Sequence, residues 1–95
     1  MTFVVIGQDS PDGQALRRIH RAAHVARIET LDAEGRLILA GPFADGTGSL
    51  IVFTAASEAE AAAWIAADPY VTEGIFRSYT LRPFQQVFPK PPPPK

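Results

Sequence analysis

The chain has 95 residues, with 9 Lys plus Arg against 10 Asp plus Glu and a formal net charge of −1; it is the size of one small domain. Its 46% hydrophobic and 20% charged residues describe a folded globular protein, not a disordered one, and the balanced charge argues against binding nucleic acid by phosphate neutralisation. The absence of cysteine excludes disulfide scaffolds, cysteine nucleophiles and thiolate metal sites, no apolar run approaches the roughly 20 residues that span a bilayer, and Met1-Thr2-Phe3-Val4-Val5-Ile6 lacks the basic start of a signal peptide, so the expected compartment is the cytoplasm.

Thr2 to Gln8 is dense in β-branched and aromatic residues and reads as a strand. Asp9-Ser10-Pro11-Asp12-Gly13 is a cluster of turn formers. A helix is predicted from about Gln14 to Leu31, with Leu16, Ile19, Ala23 and Ala26 at helical spacing and Val25, Ile28 and Leu31 widening the apolar face. Asp12 or Ser10 is placed to cap it. Arg36 to Ala40 reads as a second strand, stopped by Gly41-Pro42, because proline cannot serve a central ladder. Ser49 to Ala55 is the third. Ser57 reads as the N-cap of a second, alanine-rich helix, with Glu58 and Glu60 favoured in its first turn by the helix dipole. Asp68-Pro69-Tyr70 ends that helix, since a residue before proline avoids the helical region. Ile75 to about Arg82 is the fourth strand, with Pro83 to Phe88 extending it irregularly. Residues 1–88 form the domain, and the proline-rich tail 89–95 is expected to be extended polyproline II.

The order is β-α-β-β-α-β, the α+β ferredoxin-like arrangement: a four-stranded antiparallel sheet with two helices on one face. Yet the strands are apolar on both faces. Val4 and Ile6 oppose Phe3 and Val5, and Ile51 and Phe53 oppose Leu50 and Val52. Phe3, Val5, Leu50 and Val52, or their alternates, therefore form a second apolar face without a cover. A homodimer packed through the sheets supplies one, and a domain of this size gains from it.

His20 and His24 lie four apart on the first helix, a spacing able to hold a metal. Arg21 stands where the zincin motif has its glutamate, and no third ligand follows, so no metal is expected. His20 reads as a surface residue of a helix that also carries Arg17, Arg18, Arg21 and Arg27. His24, among Ala22, Ala23, Val25 and Ala26, is either structural or a proton-transfer group at a pocket wall. Asp68 is either a plain helix stop or a carboxylate that orients a histidine. The stretch Gly41-Pro42 to Gly48-Ser49 is either a hairpin connection or a loop whose backbone N–H groups hold a carboxylate or enolate oxygen. Ser49 has no base beside it in sequence and reads as a hydrogen-bond donor, not a nucleophile.

The chain resembles the YciI-like (YCII-related) proteins of the dimeric α/β-barrel superfamily. The resemblance covers about Phe3 to Phe88. It rests on His24-Val25-Ala26-Arg27-Ile28, Leu39-Ala40-Gly41-Pro42, Asp45-Gly46, Gly48-Ser49, Asp68-Pro69-Tyr70 and Arg82-Pro83-Phe84 in this order. It implies a dimeric α/β barrel with a small pocket in each subunit, centred on His24 and Asp68, with Ser49 in the pocket. Gly48, Pro42 and Tyr70, in the same motifs, join Ser49 as expected substrate contacts. The expected function is a small cofactor-independent enzyme of isomerase, lyase or dehydrochlorinase type. His24 would be its general acid/base, Asp68 would hold the tautomer, and the substrate would be a small cyclic or carbonyl compound. The alternative is a non-catalytic small-molecule-binding or structural dimer. Neither reading calls for nucleic acid or membrane as partner.

Overall fold

A computed structural model of the chain describes residues 1–90, so the end of the proline tail lies outside the described residues. Its elements are β1 (Thr2–Asp9), α1 (Gly13–Ala33), β2 (Leu37–Pro42), β3 (Gly48–Thr54), α2 (Glu58–Ala66), α3 (Pro69–Thr72) and β4 (Phe76–Phe84). The four strands form one sheet in the order β2-β3-β1-β4, and every neighbouring pair is antiparallel. This is the α+β ferredoxin-like fold.

The register decides which apolar residues go inside. Phe3 lies opposite Phe53 and Val5 opposite Ile51 on the neighbouring strand. These four are buried against Leu31 of α1 and Ala61 and Ile65 of α2, with Ile28, Trp64 and Leu81 at the margin. Both helices thus cover one face of the sheet. Fully burying each large apolar side chain contributes roughly 1.5–3 kcal/mol. Because side chains alternate along a strand, Val4 opposite Val52 and Ile6 opposite Leu50 point to the other face. Phe3 and Val5 are therefore core residues, and the uncovered apolar face carries Val4 and Ile6 beside Leu50 and Val52.

Three expectations are corrected. β2 does not stop before Gly41-Pro42 but runs through them, with Pro42 opposite Ser49. The reason is its edge position, where a missing N–H leaves no neighbour unsatisfied. Neither proposed side-chain cap of α1 forms: Asp12 occupies the N-cap position without a side-chain bond, and the Ser10 hydroxyl is buried without a partner. A third, short helix follows α2. Asp68 both stops α2 and caps α3, accepting a hydrogen bond from the Tyr70 N–H, with Pro69 at the first helical position. The extended backbone that proline imposes on its predecessor is also the backbone an N-cap needs. Ser57 caps α2 by accepting from the Glu60 N–H.

The face of α1 is also corrected. Its buried residues are Gly13, Arg17, His24 and Leu31, whereas Ile19 is 71% exposed and Ala23 and Ala26 are exposed. Two polar side chains displace the apolar stripe because partners on other elements satisfy their donors, which removes most of the cost of burying them. Arg17 is consequently not one of the helix's surface arginines.

Candidate active site

His24 and Asp68 come from elements far apart in sequence, and packing of α3 against α1 brings them together. His24 Nδ1 lies 2.7 Å from Asp68 Oδ2. Asp68 is fully buried. Its Oδ2 also accepts from the Tyr70 N–H at 3.0 Å, and its Oδ1 accepts from Arg27 Nη1 at 2.9 Å. With both carboxylate oxygens acting as acceptors, the proton of the His24 contact belongs to Nδ1. In the neutral ring this fixes the tautomer and makes Nε2 the nitrogen that carries the lone pair. Nε2 has no protein partner among the described residues. The ring is held flat against Tyr70, with centroids 3.9 Å apart and planes 8° apart, and Tyr70 in turn packs edge-on to Phe76. Arg27 stacks on Trp64 at 4.5 Å, which holds the far side of the carboxylate.

A second network lies further towards the N-terminus of α1, on the same stripe. Arg17 forks onto Asp9, with Nε to Oδ2 and Nη2 to Oδ1 both at 2.8 Å. Nη2 also donates to Ser49 Oγ at 2.9 Å. Arg17 sits 5.0 Å from the Tyr70 ring centroid and 5.9 Å from that of Phe76. The hydrogen bonds to Asp9 raise the Arg17 guanidinium above its ordinary value against the opposing effect of burial, so its charge is permanent. Two glycines make the close packing here possible. A Cβ on Gly7 would meet the Phe76 ring, and one on Gly48 would run into the Gly7 carbonyl.

Between these networks and the β2–β3 hairpin lies a cavity of about 470 Å³. The residues expected from sequence fall around it: His24, Pro42, Gly48, Ser49 and Tyr70 line it, and Asp68 stands behind His24. Ile28, Ala40 and Ile51 supply apolar wall, while Arg17, Arg21 and Gln14 add polar groups. Pro42 and Ser49 face each other across the β2–β3 ladder, which sets the pocket floor. The hairpin loop closes on itself: Phe43 N–H donates to Gly48 O, Gly46 N–H to Phe43 O, and Thr47 N–H to Asp45 Oδ1. Gly46, at φ 76°, supplies the left-handed turn that lets it do so. The expectation that loop N–H groups hold a substrate oxygen is therefore corrected for these three, since they are already occupied. Gln14 Nε2 ties the loop to α1 through Gly46 O.

Arg17, Arg27 and Asp9 are site residues that sequence reasoning passed over. The signal was the spacing of seven between Arg17, His24 and Leu31, which puts all three on one stripe of α1. As for cations, no group of three or more His, Cys, Asp or Glu able to hold a metal occurs among the described residues, and Nδ1 of His24 is taken by Asp68.

With this geometry in place, comparison with known proteins identifies the lineage. Residues 1–85 match the family model of the YCII-related domain. The chain belongs to the YCII-related family. The protein YciI of Escherichia coli O6:H1 is 38% identical over 98 aligned residues, spanning 93% of this chain and all of that protein. An uncharacterized protein of Haemophilus influenzae is 35% identical with the same coverage. Among solved structures, this YCII-related domain is similar to the 5-chloro-2-hydroxyhydroquinone dehydrochlorinase TftG of Burkholderia phenoliruptrix AC1100, in complex with 2,5-dihydroxybenzoquinone. That similarity has a TM-score of 0.80 at 26% identity and covers 90% of this chain and 94% of the other. No helix among the described residues is long and apolar enough to cross a membrane.

Proposed function

We propose that the pocket is the active site of a small acid–base enzyme that needs no cofactor. It would move a proton on a small, oxygen-substituted cyclic or carbonyl compound, with isomerisation or elimination as outcome. The observation that carries this reading is the 2.7 Å contact between His24 Nδ1 and the buried Asp68 carboxylate, beside a cavity lined by the same histidine. A histidine held in one tautomer with its second nitrogen free is suited to general acid–base work. In an elimination, Nε2 accepts a proton from a C–H or O–H bond, the released electron pair forms the new π bond, and the leaving group departs with its own pair. The likeness to a dehydrochlorinase supports elimination as the first reaction to test. The cavity volume suits a single ring, and its apolar walls at Ile28, Ala40 and Ile51 suit a ring face.

The test is chloride release from 5-chloro-2-hydroxyhydroquinone by the wild type and by His24→Ala. The expected result is turnover by the wild type and a loss of about 10²- to 10⁴-fold in the variant. Equal rates in both, or no chloride released by the wild type, would count against this chemistry.

A second reading, a non-catalytic binding module, draws on one observation. The three donors on Asp68 come from α1 and α3, so the carboxylate also serves to pin the two helices together. That reading expects binding of 2,5-dihydroxybenzoquinone without any turnover, and an unfolded or loosened chain when Asp68 is lost.

A further inference from the structure

Arg17 is 6% exposed yet lines the cavity, and its donor count is uneven. A guanidinium offers five N–H groups. The Nε–H and one hydrogen of Nη2 are given to Asp9, and the other hydrogen of Nη2 is given to Ser49 Oγ. Nη1 makes no direct hydrogen bond to protein among the described residues, although the Tyr70 side chain lies near enough to the guanidinium to help hold its charge. Ser10 Oγ is the one sealed, unpartnered side-chain atom there, so Nη1 is not walled in. Because Ser49 Oγ accepts from Arg17, its own hydrogen is free to turn elsewhere. The cavity wall carries a second guanidinium, Arg21, exposed and without an ion pair among the described residues, and it carries no carboxylate at all. Asp9 and Asp68 stand behind the wall, beyond Arg17 and His24, which they hold.

We propose that Arg17, through Nη1 and with the Ser49 hydroxyl beside it, is the anion-binding group of this pocket. The substrate class is then a small organic anion whose charged oxygen, an enolate, phenolate or carboxylate, rests on Arg17 while the reacting proton faces His24. This deepens the acid–base reading and rests on the same pocket. Arg17 and His24 are seven residues apart on one helix, so their Cα atoms are about 10 Å apart along the axis, and their side chains converge on Tyr70. A single ring bearing oxygens at opposite positions fits such a pair. The fork onto Asp9 fixes the direction of Nη1 in advance, which a lysine at the same position would not do.

Two quinones with the same ring and oxygen positions but different charge, the neutral one carrying two added methyl groups, test the proposal by titration calorimetry. One is 2,5-dihydroxybenzoquinone, a vinylogous acid that is anionic at neutral pH; the other is 2,5-dimethoxybenzoquinone, its neutral counterpart. The wild type is expected to favour the anion. Arg17→Met is expected to weaken the anion by ~10- to 100-fold, the range of a charge-assisted hydrogen bond, and to leave the neutral quinone unchanged. Removing Arg17 alone strands the Asp9 carboxylate, so the double variant Arg17→Met with Asp9→Asn is titrated beside it and is expected to behave alike. His24→Ala keeps the preference for the anion. A wild type without that preference, or a folded double variant that retains it, overturns the assignment of Arg17. Loss of turnover in His24→Ala with the preference intact separates the two claims, because it upholds the acid–base reading by a readout independent of charge selection.

Discussion

Asp68 serves four structural roles at once. It stops α2, caps α3, orients His24 and neutralises Arg27. Truncating it leaves an imidazole and a guanidinium facing an empty, buried space. Breaking a buried charge pair by deleting one partner costs about 3–5 kcal/mol, so Asp68→Ala should lower the unfolding free energy by about that much in urea titration. Asp68→Asn keeps the shape and an N-cap of similar quality, and its stability loss should be distinctly smaller. Its effect on turnover should still be about 10²- to 10⁴-fold, because the imidazole loses the carboxylate that fixes its tautomer. An asparagine variant with full activity would reduce Asp68 to a structural role.

At the scale of elements, the order of the four strands and the two longer helices was legible because each rests on local rules, while the short α3 was not. β-Branched runs, the Ser57 cap and the Asp-Pro stop each act within a few residues. The orientation of α1 was not legible. Ile19, Ala23 and Ala26 make an apolar stripe on paper, but alanines bury little area and define a face weakly, while Arg17 and His24 are buried by partners on β1, β3 and the α2–α3 junction. Such compensation is a tertiary fact. His24, Asp68 and Ser49 were nameable as site candidates from their motifs, whereas Asp9 lay inside a run of turn formers and gave no sign of its arginine. Asp45 in the β2–β3 loop illustrates a local rule that reaches measurement. Its carboxylate accepts from the Thr47 hydroxyl and N–H, and these bonds, the hydroxyl first, hold it below the ordinary aspartate value. A carboxylate with a depressed folded-state value contributes stability above its unfolded value, near 3.9, and loses that contribution as pH falls through the folded value. Thr47→Val should therefore melt earlier than the wild type at neutral pH, and the gap in melting temperature should close in acid below about pH 4. A gap that stays constant with pH would assign it to packing instead.

For the whole molecule, the question is what covers the second face of the sheet. Val4, Ile6, Leu50 and Val52 share that face, and Leu39 and Phe84 at its edges are about half exposed. We propose that a second copy of the chain covers it: Val52 is already buried within the single chain, but Ile6, Leu39 and Phe84 are exposed, and leaving such side chains in water forgoes up to roughly 1.5–3 kcal/mol each. Sedimentation at micromolar concentration should give twice the chain mass, and Ile6→Asp, at an exposed position of that face, should return it to a folded monomer. A wild-type monomer would remove the proposal. The pocket lies on the opposite, helix-covered side of the sheet, so a copy docked on this face would leave it open. The claim on which the functional reading depends is that Asp68 holds His24 with Nε2 bare and turned to the ligand. The 15N spectrum of the His24 ring tests this most directly, recorded before and after adding 2,5-dihydroxybenzoquinone. The expected spectrum shows the proton on Nδ1 and a bare Nε2 whose shift moves on binding while Nδ1 keeps its proton. A neutral ring in the free protein with its proton on Nε2 instead of Nδ1, or an Nε2 shift indifferent to a bound ligand, would contradict it.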